Sequence, residues 1–497
     1  MHFPEFLGFL RNRKGPSIER SAASGFIGIE KIIMTTPSNP ETTGGFSRRK
    51  FIKSQLAVAL AARAFPAIIP ASALGRDGQV APSNRIALGI IGCGPQGMGV
   101  LSGFLNEDDC HVSAACDLKP DRLKLAADTI NGRYQNQDCR TYQDFSELVA
   151  RDDMDAFLIA TPDHWHVLPA IAAVNAGKDV YVEKPLALGL AERQAMRNAV
   201  EKNGRMFQFG TQQRSSRNFR HACELVGKGH IGKLQHINIW APGSAPGGSR
   251  KVTPPPAGMD FDRWLGPAPL REHTENLCTD DSFAKTWWFV SDFALGFIAG
   301  WGIHPLDIAV WGAEDRLGDS VEVKGSGVFR NDEGICDTAT VWEVDFTFAS
   351  GLTMKFVGVP NGGNQFLATG DPFAHGEEWT QRYGKIDSHG TAFEGSDGWV
   401  HVDRGRVNPQ NKELARLDLV TSGPNHARNF LDSVKSRVQP VCPIDSTVLV
   451  DNLCHAADIA IRLKRPVKLD LKNEIFADDA EAQRMFVGKP LRAPWKL

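Results

Sequence analysis

An apolar run that breaks into three closely spaced glycines constrains this chain more than any other stretch. Residues 85–91 read Arg-Ile-Ala-Leu-Gly-Ile-Ile, and Gly92, Gly94 and Gly97 follow at once. The pattern predicts a buried strand that turns tightly into a helix, where Gly94 would let the backbone approach a pyrophosphate. Glycine-rich turns without a ligand are also common, so a plain turn stays open. The predicted cofactor-binding residues of this turn are Gly92, Gly94, Pro95, Gln96 and Gly97.

The segments that follow alternate between strand and helix patterns. Apolar runs at 111–116, 156–160, 179–182 and 206–210 are separated by stretches with helical periodicity. This alternation predicts an α/β fold with a parallel sheet that helices cover on both faces.

Asp117 ends the second predicted strand, 25 residues after Gly92. A carboxylate at this place can accept hydrogen bonds from an adenosine ribose, which makes Asp117 a predicted cofactor-binding residue. The carboxylate favours NAD, because it would repel a ribose phosphate. Lys119 and Arg122 nearby leave NADP possible, and a plain turn before Pro120 remains the alternative role of Asp117.

Two short motifs follow later strands of the predicted sheet. Residues 161–166 read Thr-Pro-Asp-His-Trp-His, and residues 183–185 read Glu-Lys-Pro. Open parallel sheets bind ligands at the carboxyl ends of their strands, and a desolvated Lys184 there can have a lowered pKa suited to proton transfer. A solvated surface charge is the alternative for an isolated lysine, and either histidine can cap a helix or lie in the core.

This order of motifs resembles the glucose-fructose oxidoreductase / inositol dehydrogenase / MocA (Gfo/Idh/MocA) family, and the likeness continues through most of residues 84–497. The resemblance implies a Rossmann domain in which T-P lines the nicotinamide ribose. It also implies that the lysine of E-K-P, Lys184, is catalytic and polarises or relays the substrate hydroxyl. The cofactor-binding residues that it implies here are Thr161, Pro162, His164, His166, Glu183 and Lys184.

The same resemblance extends into the predicted second domain. In the family, a Q-x-R at the junction faces the sugar cleft, which implies that Gln212 and Arg214 contact the substrate. The Pro- and Gly-rich run 241–269 should cover or border that cleft. In the aromatic cluster at 287–289, Trp288 can stack on a sugar face, although such clusters are also typical of a core.

A second chemical stretch lies at residues 296–307. It resembles the family segment in which a D-x-x-x-H pair meets the substrate and a further Asp follows. His304 and Asp307 match this pattern, whereas Gly300 stands where the first Asp is expected. His304 can take the hydroxyl proton, and Asp307 can orient it from the same helical face. Asp292 is a candidate to replace the missing carboxylate at the substrate.

We therefore expect three parts: an extension with a signal and linker at 1–83, a Rossmann domain at 84–210 and an α+β domain at 211–497. Alternating strand patterns in the last part predict a large, mostly antiparallel sheet with one solvated face. Helices at 426–438 and 447–463 would cover its other side. The available sheet face predicts a dimer or tetramer.

The N-terminal segment resembles a twin-arginine export signal. Ser-Arg-Arg-Lys-Phe-Ile-Lys at 47–53 precedes the apolar run 56–62, and Ala-Ser-Ala at 71–73 supplies a cleavage site. The run is too short to span a bilayer, so we expect export, typically to the periplasm, with no stable membrane insertion after cleavage. An uncleaved amphipathic anchor is the alternative, and Met34 is a candidate start.

Composition narrows the class of partner. The chain of 497 residues is 42% hydrophobic and 23% charged, with a net charge of -2. This balance is ordinary for a globular protein and gives no electrostatic footprint for nucleic acid. Its nine cysteines show no C-x-x-C spacing, so no metal site is indicated. A small-molecule carbohydrate is the expected partner.

Three functions stay open from the sequence. The first is an exported NAD-dependent oxidoreductase that acts on a sugar, polyol or sugar derivative and holds its cofactor tightly. The second, similar to the family's NAD-dependent glycosidases, is a glycoside-cleaving enzyme that oxidises, eliminates and re-reduces. The third is a non-catalytic sugar-binding protein, which Gly300 motivates.

Overall fold

The computed structural model describes residues 80–279, 287–359, 375–420 and 425–497. The twin-arginine pattern, its cleavage site and Met34 lie outside the described residues. Within the described ranges, no helix combines the length and apolarity that crossing a bilayer requires.

The first sheet consists of six parallel strands in the order β3-β2-β1-β4-β5-β6. Its strands are β1 (Ile86–Ile91), β2 (Cys110–Cys116), β3 (Arg140–Tyr142), β4 (Ala156–Ile159), β5 (Asp179–Val182) and β6 (Phe207–Phe209). All residues of β4, β5 and β6 are buried, because helices cover both faces of the sheet. The predicted Rossmann domain is confirmed in its fold.

The strand order reverses between β1 and β4, and ligands bind at such a switch point in open α/β sheets. The neighbours β1, β4 and β5 end directly before the glycine turn, the Thr-Pro motif and the Glu-Lys-Pro motif. One edge of the sheet therefore collects all three motifs. The helices of this half are α1 (Pro95–Leu105), α2 (Pro120–Tyr134), α3 (Phe145–Val149), α4 (Val167–Asn175) and α5 (Leu190–Asn203), and α6 (Arg217–Gly227) follows at the start of the second half.

The second sheet has eight strands in the order β13-β12-β11-β7-β10-β9-β8-β14. Among the described strands of this second sheet, only β7 and β10 pair in parallel, so the predicted, mostly antiparallel sheet is confirmed. Its strands are β7 (Leu234–Pro242), β8 (Ser320–Val328), β9 (Val341–Phe348), β10 (Thr353–Val359), β11 (Gly390–Gly395), β12 (Gly398–Val402), β13 (Val407–Pro409) and β14 (Val467–Asp470).

The remaining helices lie in the second half of the chain. They are α7 (Phe261–Leu265), α8 (Phe297–Gly300), α9 (Ile303–Ala313), α10 (Gly376–Tyr383), α11 (His426–Ser436), α12 (Ile444–Leu463) and α13 (Ala480–Val487). Helix α12 lies against β8, β9 and β14, as expected for the second of the two late helices.

The first late helix, α11, does not cover the antiparallel sheet. Its apolar residues Phe430 and Leu431 are buried in one cluster with Phe104 of α1 and Tyr181 of β5. His426, at its start, bonds the carbonyl of Phe209 through Nε2 at 2.8 Å. The chain thus returns to complete the core of the Rossmann domain, a long-range contact that helical periodicity does not encode.

Candidate functional site

The glycine turn forms a cradle that side chains would fill. Gly92 has φ +93°, and a Cβ there would lie 2.5 Å from the carbonyl oxygen of Ala160. A Cβ on Gly97 would lie 2.2 Å from the carbonyl oxygen of Gly92. Helix α1 begins with Pro95, where a missing N–H costs nothing, and its free N-terminal N–H groups can face a phosphate.

Replacing Gly97 with alanine is expected to lower NAD affinity at least about tenfold and to destabilise the fold by about 1–3 kcal/mol, because the added methyl group overlaps backbone. Gly99 is the matched control on the same helix, since a Cβ there meets nothing within 4 Å. Gly99→Ala should keep the affinity and gain about 0.5–1 kcal/mol. Titration of NADH fluorescence and thermal unfolding measure both effects. Unchanged NAD affinity in Gly97→Ala would contradict the role of the glycine turn in binding the cofactor.

A pocket lies beside the turn, and Asp117 lines it. The Asp117 carboxylate accepts the backbone N–H of Cys93 at 2.7 Å and that of Lys119 at 2.8 Å. These bonds fasten β2 to the glycine turn, so the turn-forming role coexists with a carboxylate that faces the pocket. Trp264, from the Pro- and Gly-rich run, and Trp495 also line the pocket, from outside the parallel sheet.

The Thr-Pro motif lies next to the glycine turn, on the same pocket. Thr161 and Pro162 line the same pocket, and the buried Thr161 Oγ1 has no hydrogen-bond partner among the residues that the structure describes. A buried hydroxyl without a partner is costly, and a ribose hydroxyl would satisfy it. The cradle, the Asp117 carboxylate and this orphaned hydroxyl fit a nicotinamide dinucleotide.

The two histidines of the motif are held by backbone groups. His164 Nε2 lies 3.0 Å from the carbonyl oxygen of Trp264, and His166 Nδ1 lies 2.6 Å from that of Pro185. Burial lowers the pKa of each to about 4, so both are neutral at pH 7. His166 thus positions the Glu-Lys-Pro turn, and His164 fixes the segment that carries Trp264.

Glu183 connects the glycine turn to the second half of the chain. Its buried carboxylate accepts hydrogen bonds from the side chains of Gln96 and Gln212, the latter at 2.9 Å. Gln212 also bonds the hydroxyl of Tyr181 at 3.0 Å. Burial raises the pKa of Glu183, against the opposing charge of Lys184. The Gln212 amide nitrogen, expected at the substrate, is instead engaged by Glu183 and Tyr181.

Lys184 reaches from the end of β5 toward the second half of the chain. Its Nζ donates to the carbonyl oxygen of Gly300 at 2.8 Å and lies 5.6 Å from the ring centroid of Trp288. The ammonium group therefore meets a neutral backbone acceptor at the position where the resemblance implied a carboxylate. Trp288 lies beside this lysine, as a substrate-stacking residue would.

His304 is buried, and its Nδ1 has no hydrogen-bond partner within the described ranges. Burial lowers its pKa well below the usual value, and the charges of Lys184 and Arg404 lower it further. A neutral imidazole at neutral pH can accept a proton from a hydroxyl. The charge of Lys184 thus acts on His304, and the role of both residues at the reacting centre stays a prediction.

Asp307 does not orient His304. Both of its carboxylate oxygens accept hydrogen bonds from Arg214, at 2.8 Å from Nε and 2.6 Å from Nη2. Arg214 also donates to the carbonyl of Val441. Both side chains are almost fully buried, so Arg214 is a structural partner of Asp307 and does not present its charge to a substrate.

Asp292 does not replace the missing carboxylate either. It bonds Arg271 at 3.2 Å and Lys489 at 2.5 Å, and it lines a separate pocket with His455 and Arg462. Two salt bridges hold it there, so it is not available to Lys184.

Sequence reasoning missed Trp301, His389 and Arg404. The ring centroids of Trp301 and His304 are 5.6 Å apart, and those of Trp301 and His389 are 4.7 Å apart. The Arg404 guanidinium carbon lies 4.7 Å from the Trp301 ring. The place of Trp301 next to Gly300 was an available signal, whereas His389 and Arg404 arrive from distant strands without a motif.

The fold and the site together define a Rossmann protein that binds a nicotinamide dinucleotide beside a second, sheet-based domain. Residues 86–211 match the model of the Gfo/Idh/MocA family, described as an oxidoreductase family with an NAD-binding Rossmann fold. This part of the chain is thus similar to the NAD-binding domain of that family, in keeping with the motifs.

Curated relatives match over part of the chain. Inositol 2-dehydrogenase of Salmonella typhimurium is 32% identical over 147 residues, 29% of this chain and 42% of its own length. Glycosyl hydrolase family 109 protein 2 of a Shewanella species is 31% identical over 208 residues, 39% of this chain and 45% of its own length. The chain thus spans less than half the length of these relatives.

A solved structure shows the same fold over a longer stretch. Scyllo-inositol dehydrogenase of Lactobacillus casei, with bound NAD(H) and scyllo-inositol, has a TM-score of 0.51 and 17% identity, and covers 77% of this chain and 99% of its own. The shared architecture therefore includes both the parallel and the antiparallel sheet.

Proposed function

We propose that this protein is an NAD(H)-dependent oxidoreductase that interconverts a hydroxyl and a carbonyl group of a sugar, polyol or sugar derivative. One observation carries the proposal. At the edge of the parallel sheet where the glycine turn lies, Lys184 donates a hydrogen bond to the carbonyl of Gly300, four residues before His304, and its charge acts on His304. The names of the relatives, an inositol dehydrogenase among them, support a polyhydroxylated substrate. NADP remains possible, because Lys119 and Arg122 line the pocket beside Asp117.

Each residue has a role that its surroundings permit. The bound nicotinamide supplies the hydride acceptor or donor. Lys184, at hydrogen-bond range of the Gly300 carbonyl, can hold the reacting oxygen and stabilise charge that develops on it. His304, neutral at pH 7, accepts the hydroxyl proton during oxidation and returns it during reduction. Trp288 beside Lys184 offers an apolar face for a sugar ring.

A second candidate is a glycoside-cleaving cycle of oxidation, elimination and re-reduction. Relatives named glycosyl hydrolase family 109 proteins, at 28% and 31% identity, favour it. Such a cycle uses the same hydride and proton transfers and returns the cofactor to its starting state, so Lys184 and His304 would serve both functions.

One experiment separates these two functions. The purified protein, loaded with NAD, is incubated with polyols, sugars and glycosides while NADH absorbance and free reducing sugar are recorded. The oxidoreductase proposal expects NADH in proportion to substrate consumed. Sugar release from glycosides without net NADH would instead support the cleaving cycle, and neither signal from any compound would contradict both.

We further propose export by the twin-arginine route, a tightly held cofactor and a homo-oligomer. The Arg-Arg motif at 48–49 supports export. Slow cofactor release is supported by the pocket beside Asp117, which Arg263, Trp264 and Trp495 line from outside the parallel sheet. Cell fractionation, mass spectrometry of the nicotinamide that copurifies, and sedimentation respectively test these three statements. Recovery only in the cytoplasm, an empty purified protein or a monomer would contradict them in turn.

A further inference from the structure

Basic side chains surround the proposed reacting centre. The charged and titratable groups that act most on His304 are Lys184, Arg404, His389 and His426, and none of these is acidic. The nearest carboxylate along the chain, Asp307, is already bound by both of its oxygens to Arg214. Carboxylates act on two of these groups, Asp163 and Glu183 on Lys184 and Asp387 on Arg404, but none is among the groups that act most on His304.

Lys184 is the first of these basic groups. Its Nζ donates to the backbone carbonyl of Gly300, lies 5.6 Å from the ring centroid of Trp288, and makes no ion pair with a described residue. The charges of Asp163 and Glu183 act on Lys184, while the ammonium group itself meets a neutral carbonyl at the place where the substrate hydroxyl is expected.

Arg404 contributes the second charge, from the loop between β12 and β13. The side chain is exposed, its guanidinium group packs over the Trp301 ring, and it makes no hydrogen bond or ion pair to the part of the chain that the structure describes. Its neighbour in the loop behaves differently, since Arg406 lies 3.4 Å from the buried carboxylate of Asp403. The loop thus presents one arginine paired with an acid and one that packs on an aromatic ring, on which Asp387 acts by its charge without a hydrogen bond or ion pair.

Trp301 connects Arg404 to the reacting centre. The Trp301 ring packs against the Arg404 guanidinium group and also against the His304 ring. The ring centroids of Trp301 and His304 are 5.6 Å apart. A guanidinium group stacked on an aromatic ring keeps its planar fork of N–H donors free for a carboxylate. Because Trp301 contacts both residues, only its ring separates the Arg404 guanidinium group from His304, the proposed base.

We propose that the substrate of the oxidoreductase carries a carboxylate, as a sugar acid does, and that Arg404 binds this carboxylate and determines the specificity. The inference rests on the proposed function, whose reacting groups are Lys184 and His304. Burial is the main cause that lowers the pKa of His304, and the charges of Lys184 and Arg404 lower it further. A bound carboxylate would offset these two charges and so favour proton transfer to His304.

The test compares matched ligands on the NAD-loaded full chain: a methyl hexoside, the corresponding methyl hexuronide and the corresponding hexose 6-phosphate, together with free hexoses, hexuronates and inositols. The parent should use the carboxylate-bearing member of each set about 10- to 100-fold more efficiently, measured as kcat/KM. Arg404→Gln should remove this preference chiefly by raising KM, and Arg404→Lys should restore part of it. Arg406→Gln, which disturbs the same loop, should keep the preference.

The possible results separate the role of Arg404, the carboxylate assignment and the proposed function. Equal use of neutral and carboxylate-bearing sugars, or an equal loss in Arg404→Gln and Arg406→Gln, overturns the role of Arg404. A preference for the phosphate ester overturns the carboxylate assignment. Turnover of neutral sugars alone overturns the inference and leaves the proposed function standing, whereas no turnover of any compound by the NAD-bound protein overturns both.

Discussion

Lys184→Met is expected to reduce turnover by about a thousandfold or more, within the range that positioned acid–base and charge-stabilising groups contribute. The variant removes the ammonium group that bonds the Gly300 carbonyl, and methionine keeps most of the apolar contact with Trp288. NAD affinity should stay within a few fold, because the glycine cradle and Asp117 are untouched. Steady-state kinetics and NADH titration measure the two quantities.

The control for Lys184→Met is Lys202→Met, at the exposed end of α5. It removes the same charge from the same half of the chain and should leave turnover unchanged. Parental turnover in Lys184→Met would refute the catalytic role of the lysine and would favour a non-catalytic, sugar-binding protein. Loss of turnover together with loss of NAD affinity would show instead that the variant damages the cofactor site.

The second large effect concerns stability. Arg214→Met is expected to lower the free energy of unfolding by about 3–5 kcal/mol, because it leaves the Asp307 carboxylate charged and without its partner in the core. The relative exposures of the two side chains are 5% and 2%, so water cannot replace the lost bonds. Denaturant unfolding, followed by circular dichroism, measures the change.

A double variant tests the origin of this loss. Arg214→Met/Asp307→Leu removes both charges and should recover most of the stability, since a well-packed apolar pair can replace a buried ion pair. The exposed pair of Lys124 and Asp128 on α2 is the matched control, and Lys124→Met should change stability by at most about 1 kcal/mol. A loss in Arg214→Met below that of the surface variant would show that the buried pair contributes little.

The parallel sheet and its ligand-binding edge could be predicted from the sequence because local chemistry encodes them. Gly92 has a positive φ that favours glycine, and Gly97 lies where a Cβ would strike the backbone of Gly92. The apolar runs of β1 and β4 are buried on both faces, which makes them recognisable without partners. Lys184 could then be predicted as a site residue, because it lies at the carboxyl end of a strand of this sheet.

Other features depend on which distant segments meet. Helix α11 has an ordinary amphipathic pattern, and only the shape of the surface around Phe104 decides that it packs on the Rossmann domain. Gln212 matches a substrate-contact motif, yet its amide nitrogen is engaged by Glu183 because the buried carboxylate needs donors.

The sequence by itself thus determined the nucleotide-binding half of the protein and the identity of Lys184 and His304 as candidates for the chemistry. Only the tertiary structure decided that Asp307 pairs with Arg214, 93 residues away, and that Arg404 stands over Trp301. The physical reason is range. Backbone sterics and hydrophobic periodicity act over a few residues and leave a pattern in the chain, whereas the partner of a buried charge is set by burial and by contacts between segments that the chain brings together only on folding.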